Sequence, residues 1–530
     1  MRDLHGPHTR FSFWTPSFPR FESHSLPRDG LILGTFRLLR IVWFAASLPL
    51  HLTLLAISVL APRRIDTRIL CPLSGFHPRW NAQQRLAYPL LRRIIWAIAD
   101  VGSADALTPN AEFKYPWWAW GLEEFTVRIG GGARVDVETS RVALPKAARD
   151  AGWFVGDALD PEDRVRPEPV PCFWFQRRDT RSESAAFTRI ASTQKTGRVD
   201  KPERIILYFV GGGYVTGSPT EGSRCFKLAR ETGLPVVGAN FRKATSPERA
   251  FPAQLQDALA VYSHLVLDLG YRDIALAGDS AGGNLALMLV QYLADLALAH
   301  EFKPRKNGDE ATSRIVLPTG LLLFSPWCDF TAATYGEALQ SRRGTTDDPV
   351  HDIICASMAT NSMRMYLERV LRAGNAKRAR DDRGGGDDDE SAPQPESVYA
   401  LQGSHPYFSP SLPSALSSWQ RVARAYSRPS TRTAAAKPLR VLVTTGTTEL
   451  FNLEIVRLVE LLRRVAAAAA GDPSSGGSGG GGGGRRERCG IEVECVSAEG
   501  EVHAFPLVPE WISPETAQAW RVIRSWCAAQ

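Results

Sequence analysis

Gly278-Asp279-Ser280-Ala281-Gly282-Gly283-Asn284 lies between a β-rich apolar run, DIALAGD (273–279), and an alanine- and leucine-rich stretch, Ala281 to His300. The pattern G-x-S-x-G between a strand and a helix describes a sharp turn that lifts a serine above a sheet edge. A side chain at 278 or 282 would collide with the neighbouring strand or helix. The turn also sets Ser280 at a helix N-terminus, where partial positive charge favours a developing anion. Working outward, further β-rich runs occur at RIILYFV (204–210), LPVVGANF (234–241), IVLPTGLLLFSPW (315–327), PLRVLVTTG (438–446) and IEVECVSA (491–498). Helical stretches fall at Phe251 to Leu269, Leu453 to Ala470 and about 515–528. Apolar strands alternating with helices predict an α/β fold with a mostly parallel sheet covered on both faces.

A second glycine cluster follows the first of these strands: Tyr208-Phe209-Val210-Gly211-Gly212-Gly213-Tyr214-Val215-Thr216-Gly217-Ser218. A strand that ends in three glycines leaves backbone N–H groups open to a ligand oxygen. With the N–H after Ser280, these form the expected oxyanion donors: Gly212, Gly213 and Ala281. A dinucleotide-binding G-x-G-x-x-G starting at Gly211 fails, because it needs glycine at 216 and the residue is Thr216.

These blocks, together with FPAQLQDALAVY (251–262), FSPWCDFT (324–331), GTTELFNLE (446–454) and HAF (503–505), resemble the hormone-sensitive-lipase group of the α/β-hydrolase fold. That group includes arylacetamide deacetylases and fungal steryl acetyl hydrolases, and the resemblance covers about 204–510. It implies a serine carboxylic-ester hydrolase with a helical cap, a small-molecule ester substrate and no metal or cofactor. The group usually has histidine before the glycines, where this chain has Val210. The order serine, acid, histidine then makes Ser280 the nucleophile. Glu449 stands where the group places its acid, usually aspartate. His503 is the base, since it is the only histidine beyond 449. Glu454, five residues on, is the alternative acid if the loop is shifted. Also left open is a ligand-binding or scaffold protein on this fold that no longer hydrolyses, as the gibberellin receptor is among the group's relatives.

The chain of 530 residues has 63 Lys+Arg against 56 Asp+Glu, a formal charge of +7. Residues 1–100 contain 13 Arg, no Lys and five acids, so they carry +8 and the remainder −1. A diffuse basic surface for nucleic acid is therefore not expected. Ile41 to Ala61 is uncharged, with Arg37 and Arg40 before it and Arg63, Arg64 and Arg68 after it. Its length as a helix, about 31 Å, matches a hydrocarbon core of roughly 30 Å, which predicts a membrane anchor. Pro49 and His51 interrupt it, and the competing reading is a segment packed on the soluble body. Arginine on both sides leaves the orientation open. The expected location is a membrane, taken as the endoplasmic reticulum, with single-pass or monotopic attachment. The eight cysteines show no metal-ligand spacing.

The expected organisation is an N-terminal basic segment and anchor (1–61), an N-terminal cap region (62–200) and a catalytic domain (201–530). The second holds an aromatic cluster, Phe113, Tyr115, Trp117, Trp118 and Trp120. The third contains a cap insertion at about 330–435 and loops at about 377–396 and 474–488. Those two loops are too charged or too glycine-rich to bury apolar surface, and are read as disordered.

Overall fold

The computed structural model describes residues 46–60, 76–99, 133–178, 204–301, 315–372, 402–428, 437–469 and 490–529, apart from breaks at 47, 59, 161–163, 222–223, 332, 344 and 346. The aromatic cluster at 113–120, the loops at 377–396 and 474–488, and the arginines flanking the apolar segment lie outside the described residues.

Eight strands form one sheet: β1 (Val135–Val142), β2 (Val170–Arg177), β3 (Arg204–Phe209), β4 (Val236–Ala239), β5 (Asp273–Asp279), β6 (Gly320–Phe324), β7 (Leu439–Gly446) and β8 (Ile491–Ala498). Their spatial order is β1-β2-β4-β3-β5-β6-β7-β8. From β4 through β8 all pairings are parallel. In the middle, β3, β5 and β6 are apolar runs buried on both faces. At the edges, β1 and β8 are buried only at their ends and mix half-buried and exposed positions between. This is the patterning expected of a sheet whose centre is covered twice and whose rims meet water.

Helices Ala253–Ser263, Ala281–Glu301, Leu416–Tyr426 and Asn452–Ala469 pack side by side on one face. Arg224–Thr232 and Pro514–Ala528 pack together on the other. Among the described residues, the helix Ala281–Ala299 is long and apolar enough to span a bilayer, but 94% of that stretch is buried inside the protein. It is the core helix that begins at the serine turn.

The sheet departs from the expected organisation at its start. β1 and β2 fall inside 62–200, upstream of the expected boundary at 201; they pair antiparallel with each other, and β2 pairs antiparallel with β4. This part of the expected cap region is therefore sheet. In the same way Leu416–Tyr426, inside the expected cap insertion, covers the sheet by packing on Ala281–Glu301. The helices Ala333–Ser341 and Ala356–Tyr366 stand between β6 and that covering helix.

Near the N-terminus the apolar helix Leu48–Ser58 has both a packed side and an open side. His51 and Ser58 are buried: the His51 ring meets Phe76 edge-on at 5.5 Å, and Arg85 donates to Ser58 Oγ. Leu50, Leu52, Ile57 and Leu60 are exposed. At 1.5 Å per residue this helix is about 16 Å long, roughly half a hydrocarbon core.

Among the described glycines, the one with least room for a side chain is at the serine turn. A Cβ on Gly282 would lie 2.0 Å from the Phe209 carbonyl oxygen at the end of β3. The contact is with backbone, so no side chain can swing aside. Gly282→Ala is expected to cost about 3 kcal/mol or more, read as a lowered thermal midpoint and a loss of folded protein.

Candidate active site

Three strand ends on the carboxyl side of the parallel sheet bring the candidate residues together. Ser280 follows β5, Glu449 lies in the loop after β7, and His503 lies in the loop after β8. Ser280 adopts φ +53°, the left-handed region that few non-glycine residues occupy. Hydrogen bonds hold it there from both sides. Its N–H donates to Phe324 O at 3.0 Å, and its carbonyl accepts from the N–H groups of Asn284 (3.1 Å) and Trp327 (3.0 Å). Asp279 and Ala281 are buried while Ser280 itself is only half-buried, so the turn presents one side chain outward.

Glu449 is fully buried, and its Oε2 faces His503 Nδ1 at 3.4 Å. Neither atom has another hydrogen-bond partner among the described residues. The separation is long for a hydrogen bond, as is common before substrate binds. The other carboxylate oxygen, Oε1, accepts from Thr445 Oγ1, and the Glu449 carbonyl accepts from Arg342. The His503 ring meets Phe451 edge-on at 5.3 Å, and Phe451 stacks on Trp327, whose N–H holds the Ser280 carbonyl. Burial pulls the imidazole pKa down, but the hydrogen bond and charge of Glu449, with Asp352 and Asp279 behind it, outweigh that and raise it.

Glu454, the alternative acid, sits elsewhere. Its Oε1 accepts from Cys328 N–H at 2.5 Å, behind the loop after β6. Burial, reinforced by Asp329, pushes its pKa well above the usual carboxylate range. Between the two carboxylates, the one that meets the imidazole is Glu449.

The expected oxyanion donors line the opposite wall. Gly212 and Gly213 take φ +118° and +62° and are partly exposed, whereas Gly211 and Tyr214 beside them are buried. Neither amide donates to a protein acceptor among the described residues. Ala281 is the first residue of its helix, and its N–H has no intrahelical partner. A Cβ on Gly213 would strike Ser362 Oγ at 2.4 Å, so the insertion helix Ala356–Tyr366 closes over this loop.

What steadies the glycine loop was not read from the sequence. Val210 is buried in the core at the position where the resembling group has histidine. In place of a side chain there, Asp279 Oδ1 accepts from Gly211 N–H at 2.8 Å and from Tyr208 O–H at 2.6 Å. Arg224 lies 3.3 Å from Asp279 Oδ2. Tyr214 donates to Asn284 Oδ1 at 2.8 Å, and its ring stacks on Tyr366 at 3.8 Å. Asp279 and Asn284 flank the serine in the same motif, so one heptapeptide carries Ser280 and ties down the loop opposite. Their place in that motif was the available signal.

The N-terminal arm grips the loop that carries His503. Trp80 Nε1 donates to Gly500 O at 2.7 Å. Glu501, whose pKa burial raises to about 7, accepts from Gln84 Nε2 (2.7 Å), Tyr88 O–H (2.6 Å) and Ser513 Oγ (2.9 Å). The helix Ala82–Ala99 thus braces a loop two residues from the candidate base.

Residues 206–380 match a family model described as alpha/beta hydrolase fold. An ethyl acetate hydrolase of Pseudomonas putida is 39% identical over 95 residues, 17% of this chain and 29% of that protein. An arylacetamide deacetylase-like protein of Homo sapiens is 34% identical over 111 residues (19% and 27%), and an esterase of Gibberella moniliformis 33% over 110 (20% and 34%). The match thus spans about a third or less of the length of these relatives. Over this segment the chain is similar to α/β hydrolases, and the relatives it matches include proteins named as esterases.

The two carboxylates separate by substitution. Glu449→Gln is expected to lower kcat by about 10³–10⁴-fold. Glu454→Gln changes a carboxylate held on the Cys328 N–H and not on the imidazole, and should change kcat less than about tenfold; steady-state kinetics on both variants checks this.

Proposed function

We propose that this chain is a serine carboxylic-ester hydrolase. The observation that carries the reading is the pair Glu449 Oε2 and His503 Nδ1 at 3.4 Å, on the same sheet edge as a serine held at φ +53°. Relatives named as ester hydrolases support it. His503 takes the proton of Ser280 as Oγ attacks the ester carbonyl. Glu449 fixes the imidazole tautomer and stabilises the imidazolium. The amides of Gly212, Gly213 and Ala281 receive the negative charge of the tetrahedral intermediate, each worth roughly 3 kcal/mol in the transition state. The intermediate collapses to an acyl-Ser280 ester as His503 gives its proton to the departing alcohol. Water then attacks the acyl group, again with His503 as base. These steps are complete with the chain's own residues.

The proposed substrates are lipophilic esters, including sterol acetates and other acetylated lipids, reached from a membrane surface. The exposed Leu50, Leu52, Ile57 and Leu60 support membrane contact, and the helix that bears the first three of them is tied by Arg85 to the arm bracing the His503 loop.

Ser280→Ala is expected to abolish hydrolysis of a short p-nitrophenyl ester while leaving the thermal midpoint within a few degrees. Because imidazolium formation switches the base off and the His503 pKa is raised, kcat/KM should rise with pH through a limb above about 6.5. Deleting residues 1–61 is expected to leave turnover of the soluble ester intact and to reduce turnover of a sterol acetate held in vesicles. Equal loss on both esters would argue against the membrane role.

A further inference from the structure

Asp352 lies in the insertion after β6, far in sequence from the candidate triad, and its side chain is completely buried. Its two oxygens are fully engaged. Oδ1 accepts from His503 N–H at 2.9 Å and from Ile353 N–H at 2.7 Å, and Oδ2 accepts from Leu450 N–H at 2.8 Å. Leu450 is the residue after Glu449. One carboxylate therefore grips the backbone of the acid loop with one oxygen and the backbone of the base with the other.

The grip is supported on both sides. Arg92, from the N-terminal helix, donates to the Asp352 carbonyl at 2.8 Å and to the Val350 carbonyl. Ile353 beside Asp352 and Val502 beside His503 share an apolar cluster with Phe76, Trp80 and Tyr88. The charged and titratable groups around this point are His503 and Glu449 from the two strand-end loops, Arg342 from the end of the insertion's first helix, and Arg92 from the arm. Asp347 and Asp348 belong to Asp352's own segment, and His351 precedes it. The hydrogen bonds of the Asp352 carboxylate among the described residues all go to backbone N–H groups and none to the imidazole ring, so Asp352 acts on the ring through backbone and field.

We infer that Asp352 is a positioning residue for the ester hydrolysis: it sets the distance between Glu449 and His503, and its charge supports the imidazolium. This rests on the serine-esterase reading. An Asp fits where an Asn does not. Asparagine offers one acceptor and two N–H donors, so its NH₂ would face either the Leu450 N–H or the His503 and Ile353 N–H groups. A buried backbone donor would then lose its acceptor, and the two loops would move apart. Burial holds the Asp352 pKa up at about 6, so above that pH the carboxylate is charged and able to act on His503.

The test is Asp352→Asn in the full chain, assayed on a p-nitrophenyl ester across pH, with thermal melting in parallel. The expected result is a kcat lowered by about ten- to a hundredfold, a KM within about threefold, and an acid limb of kcat/KM moved to lower pH. A merely structural role would lower the folded fraction and leave the limb of the remaining activity where it is. Asp352→Glu keeps the charge but lengthens the arm; its limb should stay in place while kcat falls. Wild-type kcat in folded Asp352→Asn overturns the inference, and if that variant does not fold, wild-type kcat in Asp352→Glu does so. A wild-type protein that cleaves no ester would instead remove the reading beneath it.

Discussion

Gly282 against the Phe209 carbonyl is the contact on which the site depends. With 2.0 Å between that oxygen and any Cβ at 282, the helix can begin this close to β3 only because the residue has no side chain. The close approach forces the chain to reverse within Ser280, at φ +53°. It also sets the helix N-terminus beside the glycine loop that leaves β3. The candidate nucleophile and the candidate amide donors therefore share one geometric cause. The strain at Ser280 is held by hydrogen bonds from its own peptide groups to Phe324, Asn284 and Trp327, which tie β5, β6 and the core helix to a single residue.

Around His503 the chain gathers negative charge that it then has to manage. Glu449 and Asp352 are both fully buried, and both lie within reach of the imidazole. Desolvation opposes every charge in this region: it raises Asp352 and Glu454 and pulls His503 down. Glu454, its pKa pushed up by burial and Asp329, is held on the Cys328 N–H, and Glu449 is the carboxylate that faces the ring. The Glu501 cluster repeats the theme one layer out, where neutral donors of the arm meet a carboxyl poised near pH 7.

Much of this was legible in the sequence because it is local. The turn at 278–284 and the glycines at 211–213 state a backbone requirement within a few residues, and the six apolar strands declare themselves by composition. β1 and β2 did not. VDVETSRV is an edge strand with a largely polar outer face, and VPCFWFQR carries a proline and pairs antiparallel, so neither fits the βα rhythm that marks the rest. Asp352 was hidden for a different reason. Its partners Leu450 and His503 are 98 and 151 residues away, and it belongs to no motif. Only the folded chain shows that an aspartate in an insertion touches both ends of the candidate dyad. The choice between Glu449 and Glu454 was open for the same reason, since both lie in one nonapeptide and only the fold turns one of them toward the ring.

The account stands or falls on Ser280 being an activated nucleophile. The most direct measurement is peptide mapping by mass spectrometry after brief exposure of the folded protein to a fluorophosphonate. A single phosphonyl adduct on Ser280, formed rapidly and abolished by prior unfolding, is the predicted result. A folded protein that takes up no label, or takes it up at another serine while Ser280 stays unmodified, would contradict it.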